Sequence, residues 1–109
     1  MKKGFQLVFF ILILAGCRMD ADMNGLNDAA YHGNLQKVQE LLENGENPNG
    51  KGWDGDTPLA NAIRGQNLEI VKILLEYGAD TKNEFVLEAI HKSKDEPIKK
   101  TLNEYQARQ

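Results

Sequence analysis

The sequence predicts an all-α fold, a short solenoid of stacked helix–turn–helix units. Three observations carry the prediction. Residues 26–30 align with 59–63 and residues 34–45 with 67–78, a constant offset of 33 with no gap. Inside each copy the apolar residues fall at helical spacing: Leu59, Ala62 and Ile63 on one short helix, Leu68, Val71, Leu74 and Leu75 on the next. Helix-start and helix-stop residues flank these runs, with Thr57 before Pro58, Asn67 before Leu68 and Gly78 after Tyr77. Self-similarity at this period is the signature of a repeat array. Each unit presents an apolar seam that it cannot bury alone.

Taken in order, residues 1–16 are an address rather than a fold. Lys2 and Lys3 form a basic start, Phe5 to Leu14 is apolar apart from Gln6, and Ala15 and Gly16 are small. This is the layout of a secretory signal. The apolar run falls short of the roughly 20 residues that a spanning helix requires. Leu14-Ala15-Gly16-Cys17 resembles the bacterial lipobox. The resemblance implies that Cys17 receives a thioether-linked diacylglycerol, that the peptide is cut before it, and that the new amine is acylated. The plainer alternative is a cysteine that happens to end an ordinary signal peptide. Several acyl chains on one residue make a stable anchor. Arg18 is not the aspartate that, in lipoproteins of the enteric type, retains the protein in the inner membrane. The expected location is therefore the cell envelope, at the outer membrane facing the periplasm. Residues 17–25 then act as the lipidated N-terminus and a polar tether that holds the domain near the membrane surface.

The domain is expected over residues 26–109, with units at about 26–51 and 52–84 and a closing cap at 85–109. In the second unit Thr57 caps the first helix, Pro58 suits its first turn, Asn67 caps the second helix, and Gly78 ends it in the left-handed conformation. The segment DGDTPLANAI (54–63) resembles the opening of an ankyrin repeat, and LEIVKILLEYGAD (68–80) its closing half. The resemblance implies an ankyrin-repeat solenoid with a short β-hairpin-like finger between units. Two departures stand out. Ala60 occupies the place where the family usually carries the histidine of its TPLH motif, which removes a buried hydrogen bond and loosens the turn. Met23-Asn24-Gly25 replaces the opening motif of the first copy, as expected of an N-terminal cap.

The last part is a weaker copy. Val86, Ala89 and Ile90 suit one helix, Ile98, Leu102 and Tyr105 another, with Asp95 as cap, Pro97 in the first turn and a finger shortened to about residues 82–84. Lys94, Lys99, Lys100 and Arg108 give it a polar outer face. Two full units and a cap lie near the lower limit of about three units for a stable array.

Composition narrows the function classes. The 109 residues carry 13 Lys+Arg against 16 Asp+Glu; removal of residues 1–16 leaves 11 against 16, a net charge of −5. No nucleic-acid partner is expected from that balance. One cysteine excludes an internal disulfide and a cysteine-rich metal site. His32 and His91 sit in different units, so a shared metal is the sharper reading and exposed helix-end residues the plainer one; no metal, cofactor or catalytic residue is expected beyond the lipid on Cys17. The glycines around Lys51 lack the spacing of a phosphate loop.

Trp53 lies in the finger, where its ring either folds back on a neighbouring unit or meets a partner, tryptophan being enriched in binding hot spots. The ankyrin resemblance implies contacts through finger tips and first helices. At matching positions these are Lys51, Trp53, Asp54 and Asp56 on the finger, Arg64 on the second unit, and Tyr31 and His32 on the first. Binding of another protein, and no enzymatic activity, is the expectation. Small ankyrin lipoproteins resemble immunity proteins, which occlude a secreted toxin or effector such as a lipase, phospholipase or cell-wall hydrolase. The alternative is an envelope scaffold that assists a periplasmic stress-defence enzyme.

Overall fold

The computed structural model describes residues 25–52 and 54–109. Six helices run in chain order: α1 Gly25–His32, α2 Leu35–Glu43, α3 Pro58–Arg64, α4 Leu68–Glu76, α5 Glu84–Lys92 and α6 Glu96–Ala107. They pair as α1/α2, α3/α4 and α5/α6, and no strand occurs among the described residues. The lipobox, the tether up to Asn24 and Trp53 lie outside the described residues.

Local chemistry sets most helix ends. Thr57 precedes α3 in extended conformation and its hydroxyl accepts from the Ala60 N–H (3.4 Å), with Pro58 in the first turn. Asp95 accepts from Ile98 N (3.1 Å) ahead of α6, and Asn34 from Lys37 N (3.2 Å) ahead of α2. Asn83 does the same for α5 through Phe85 N (2.8 Å), so the shortened linker ends in a cap and Glu84 already belongs to the helix. Gly45 and Gly78 follow α2 and α4 at φ +93° and +91°, the left-handed conformation in which glycine has no side chain to clash.

Asn67 departs from its expected role. It stands at the N-cap position of α4 but makes no side-chain cap bond. Its amide Nδ2 instead donates to the carbonyls of Ala30 (2.8 Å) and Tyr31 (3.3 Å), at the end of α1 in the preceding unit. A carbonyl at a helix C-terminus lacks an intrahelical donor, so Asn67 satisfies the neighbour's end rather than its own start.

The first helices α1, α3 and α5 form one layer and the second helices α2, α4 and α6 the other. Neighbours pack much more closely in the first layer than in the second. Small residues permit this: Ala29, Ala30, Ala60 and Ala62 are buried along it. Gly65 takes the approach furthest, since a Cβ there would meet the Tyr31 carbonyl oxygen at 2.4 Å. Unequal spacing of two parallel layers curves the stack, with the first-helix side concave. The middle unit, covered on both sides, supplies Leu59, Ile63, Ile70 and Leu74, each at most 2% exposed. Val38 and Leu42 close the core at one end, Ile98 and Leu102 at the other.

The turn at Ala60 remains closed despite the missing histidine. Ala60 is wholly buried and its N–H is held by Thr57. The aligned place in the first unit holds Asn27, whose Nδ2 donates to the Gly50 carbonyl (3.1 Å).

Two substitutions test this packing. Gly65 has an ordinary right-handed φ of −79°, so helix propensity alone favours alanine there. The contact with the Tyr31 carbonyl dictates the opposite, and Gly65→Ala is expected to destabilise the domain by about 2 kcal/mol, as overpacking does. A denaturant melt of the variant checks it. Gln66 aligns with Gly33 (φ +77°) and holds a left-handed φ of +59°. Gln66→Gly is expected to raise the denaturation midpoint by relieving a conformation that costs an L-residue about 1 kcal/mol.

Candidate protein-binding surface

Of the residues on which contact was expected, Tyr31, His32 and Arg64 lie on the first helices of the concave side and are exposed. Matching α1 to α3 by the 33-residue offset, and α5 by its buried Val86 and Ala89, places Tyr31, Arg64 and His91 in one row across the three units. Asp28, Asn61 and Glu88 form the adjoining row. Tyr31 is half exposed. His32 beside it is also exposed, and its ring stands edge-on to Tyr31 with centroids 5.3 Å apart. The His32 Nδ1 lies 2.9 Å from the Asp28 carbonyl, where as a donor it satisfies the turn below. His91, not among the expected contacts, joins the row because α5 repeats the register of α3.

The finger residues divide. Lys51 and Asp54 are exposed. Asp54 also closes the turn, its Oδ1 accepting from Asp56 N (3.1 Å), while Gly52 N donates to the Asp56 carbonyl (2.8 Å) and Gly55 N to the Gly52 carbonyl (3.0 Å). Among its described residues the finger is held by turn bonds, without strand pairing. Asp56 is 8% exposed at the foot of this loop. Its Oδ1 accepts from Thr57 N (3.0 Å) and its Oδ2 pairs with Nη1 of Arg64. Two residues named separately as contacts therefore form one unit, a buried carboxylate and a guanidinium whose side chain remains 32% exposed.

A set of asparagines that sequence reasoning did not single out fixes the finger and the inner layer. Asn61 Nδ2 donates to Asn27 Oδ1 (2.8 Å), linking the first two units, and Asn27 passes the link on to Gly50 of the finger. Asn49 Nδ2 donates to the Gly78 carbonyl (3.2 Å) and its Oδ1 accepts from Asp80 N (2.7 Å), tying the finger to the following linker. No buried side-chain polar atom of the described residues is left without a partner. Among the described residues no group of three or more His, Cys, Asp or Glu side chains converges at metal-binding spacing.

The assembled surface is concave, rigidly supported and mixed in character, with aromatic, cationic and acidic groups side by side. Comparison with known proteins agrees with the architecture. A family model described as "Ankyrin repeats (3 copies)" matches residues 1–85. The Notch-regulated ankyrin repeat-containing protein of Homo sapiens is 34% identical over 73 residues, 63% of this chain and 64% of that protein. A putative ankyrin repeat protein of Rickettsia bellii is 34% identical over 86 residues, 73% of this chain and 47% of that protein. Among solved structures, a chain in the complex of a predatory endopeptidase from Bdellovibrio bacteriovorus with an immunity protein superposes with a TM-score of 0.61 at 29% identity. That match covers 74% of this chain and 45% of the other. The chain spans less than two thirds of the length of each of these relatives. The repeat spacing, the paired helices and the family match agree: this chain belongs to the ankyrin-repeat family.

Proposed function

We propose that this protein is a membrane-anchored immunity protein that neutralises a secreted hydrolase by covering it with its concave face. The observation that carries the reading is the solved neighbour, a complex of an immunity protein with an endopeptidase. Its enzyme cleaves peptide bonds, which favours a peptidase over the lipases and phospholipases as the target class. The mixed concave face supports a binding role, because interface cores are enriched in tyrosine, tryptophan and arginine. Inhibition is steric: the finger and the first helices fill the enzyme's cleft, with no chemical step.

The lipobox at Leu14 to Cys17 gives this inhibitor its place. Lipidation of Cys17 fixes the domain to the outer membrane, facing the periplasm that an envelope-attacking enzyme must cross. Confinement beside the membrane raises the effective concentration of inhibitor there without any new contact.

Deletion of the gene is expected to sensitise cells to the hydrolase delivered by neighbouring kin, and a deletion strain as resistant as its parent would refute the immunity reading. Recovery of a housekeeping envelope enzyme as the bound partner would favour the scaffold role instead. Cys17→Ser at native expression is expected to lose protection in cells while still inhibiting the purified hydrolase, separating anchoring from binding. Trp53→Ala is expected to weaken inhibition by about 30-fold, a hot-spot loss of about 2 kcal/mol; an unchanged inhibition constant would remove Trp53 from the interface.

A further inference from the structure

The concave face carries a more specific feature than its general mixture of side chains. Asp56 is held at four points: its backbone N–H and carbonyl by the finger turn, its Oδ1 by Thr57 N, and its Oδ2 by Arg64. It is therefore a fixed post at the foot of α3. Arg64 leaves the last turn of that helix and spends Nη1 on this post. Its Nη2 and Nε have no partner among the described residues, and a third of the side chain faces solvent.

The surroundings define what can use that edge. Arg64 stands at the centre of its row, between Tyr31 and His91. The adjoining row has neutral Asn61 at its centre and acids at its ends, Asp28 and Glu88, with Glu88 already 3.4 Å from Lys92. The centre of the face thus offers an oriented guanidinium edge, and its flanks offer negative charge. A single carboxylate fits the centre, because the planar fork matches its geometry. By register the carboxylates of Asp28 and Glu88 share the face in the adjoining row, which disfavours a run of acids over a single one.

We propose that Asp56 is a positioning residue that orients Arg64 as a receptor for one acidic side chain of a protein partner, set within a neutral or basic patch. This rests on the reading of the concave face as the binding surface. The two possible roles of Asp56 predict opposite signs. If it merely neutralises Arg64, its removal frees a positive charge and strengthens carboxylate binding. If it orients the fork, its removal weakens binding even though net positive charge is gained, because an unanchored arginine must be ordered on binding.

The test uses the full-length protein in detergent micelles, with the Nε–Hε resonance of Arg64 followed by NMR. The probe is N-acetyl-glutamate N-methylamide, with N-acetyl-glutamine N-methylamide as the uncharged control at matched ionic strength. In the wild type the glutamate probe is expected to shift the resonance and the glutamine probe to leave it unmoved. Asp56→Asn is expected to bind the glutamate probe roughly tenfold more weakly. Arg64→Lys retains the charge without the fork, and the amide resonances around residue 64 are expected to lose the preference for glutamate. Equal or tighter glutamate binding by Asp56→Asn, retained preference in Arg64→Lys, or no distinction between probes in the wild type would each overturn the proposal. A responsive Arg64 in a protein whose gene deletion leaves cells resistant would sink the immunity reading and leave this subsite standing.

Discussion

Every helix pair in this protein exposes an apolar seam that only another pair can cover, and the rest of the structure follows from that dependence. A pair of helices of eight and nine residues is too short to hold itself in water. Burial against a neighbour must supply the stability, so each unit's contribution is realised at its junctions rather than within it. The closest junction lies along the first helices, where Gly65 meets the end of α1 at a distance that admits no side chain. That approach tightens one layer relative to the other and produces the concave face. The shape on which binding depends is thus a by-product of which residues are small.

Apolar burial is non-directional and sets how much surface is covered, but not at what angle. Angle and register come from the polar links that cross the junctions. Asn67 reaches the end of α1, Asn61 reaches Asn27, and Asn27 and Asn49 reach the two sides of the finger. The links of Asn67, Asn61 and Asn27 are partly shielded from solvent, where an unpaired amide or carbonyl is costly, while those of Asn49 lie at the surface. An asparagine suits the task because one short side chain both donates and accepts. Asn49 does both at once, toward Gly78 and Asp80. These links make the finger an extension of the stack.

The contrast between local and cross-unit chemistry explains what the sequence revealed. Thr57 and Asp95 were legible as caps because the N–H groups they satisfy lie three residues away. Gly78 was legible because its conformation is a property of its own backbone. Most seam residues were legible through period alone, but Leu68, Ile90 and Tyr105 are only partly buried, and Ile70, outside the stripe read from the sequence, is 2% exposed. Asn67 misled because its local role, an N-cap, competes with a partner 37 residues earlier in the chain. Asp56 looked like a finger-tip contact for the same reason: nothing in residues 49–56 shows that a guanidinium eight positions later turns back onto it. Of the finger and first-helix residues singled out from sequence, Tyr31, His32, Lys51, Asp54 and Arg64 are exposed and Asp56 is a buried support, a division set by contacts between residues distant in the chain.

The position of the exposed row has an energetic consequence. Tyr31, Arg64 and His91 belong to three different units, so a partner that touches all three bridges both junctions. The outer units are the less supported ones. Leu87, which aligns with wholly buried Ala60 and with Asn27 at 5%, is 49% exposed in the last unit. An array of this length gains few junctions to set against the conformational entropy of its helices. A ligand that binds only the assembled stack adds its own free energy to the folded state, by an amount that grows with the logarithm of its concentration. A partner seated on this row would make assembly of the stack and its own binding one equilibrium. The middle unit, held on both sides, carries Arg64 and the foot of the finger, so these groups are braced by two junctions. The end units carry Tyr31 and His91, each braced by a single junction, so a ligand spanning the row would add most to the parts of the stack that hold fewest contacts of their own.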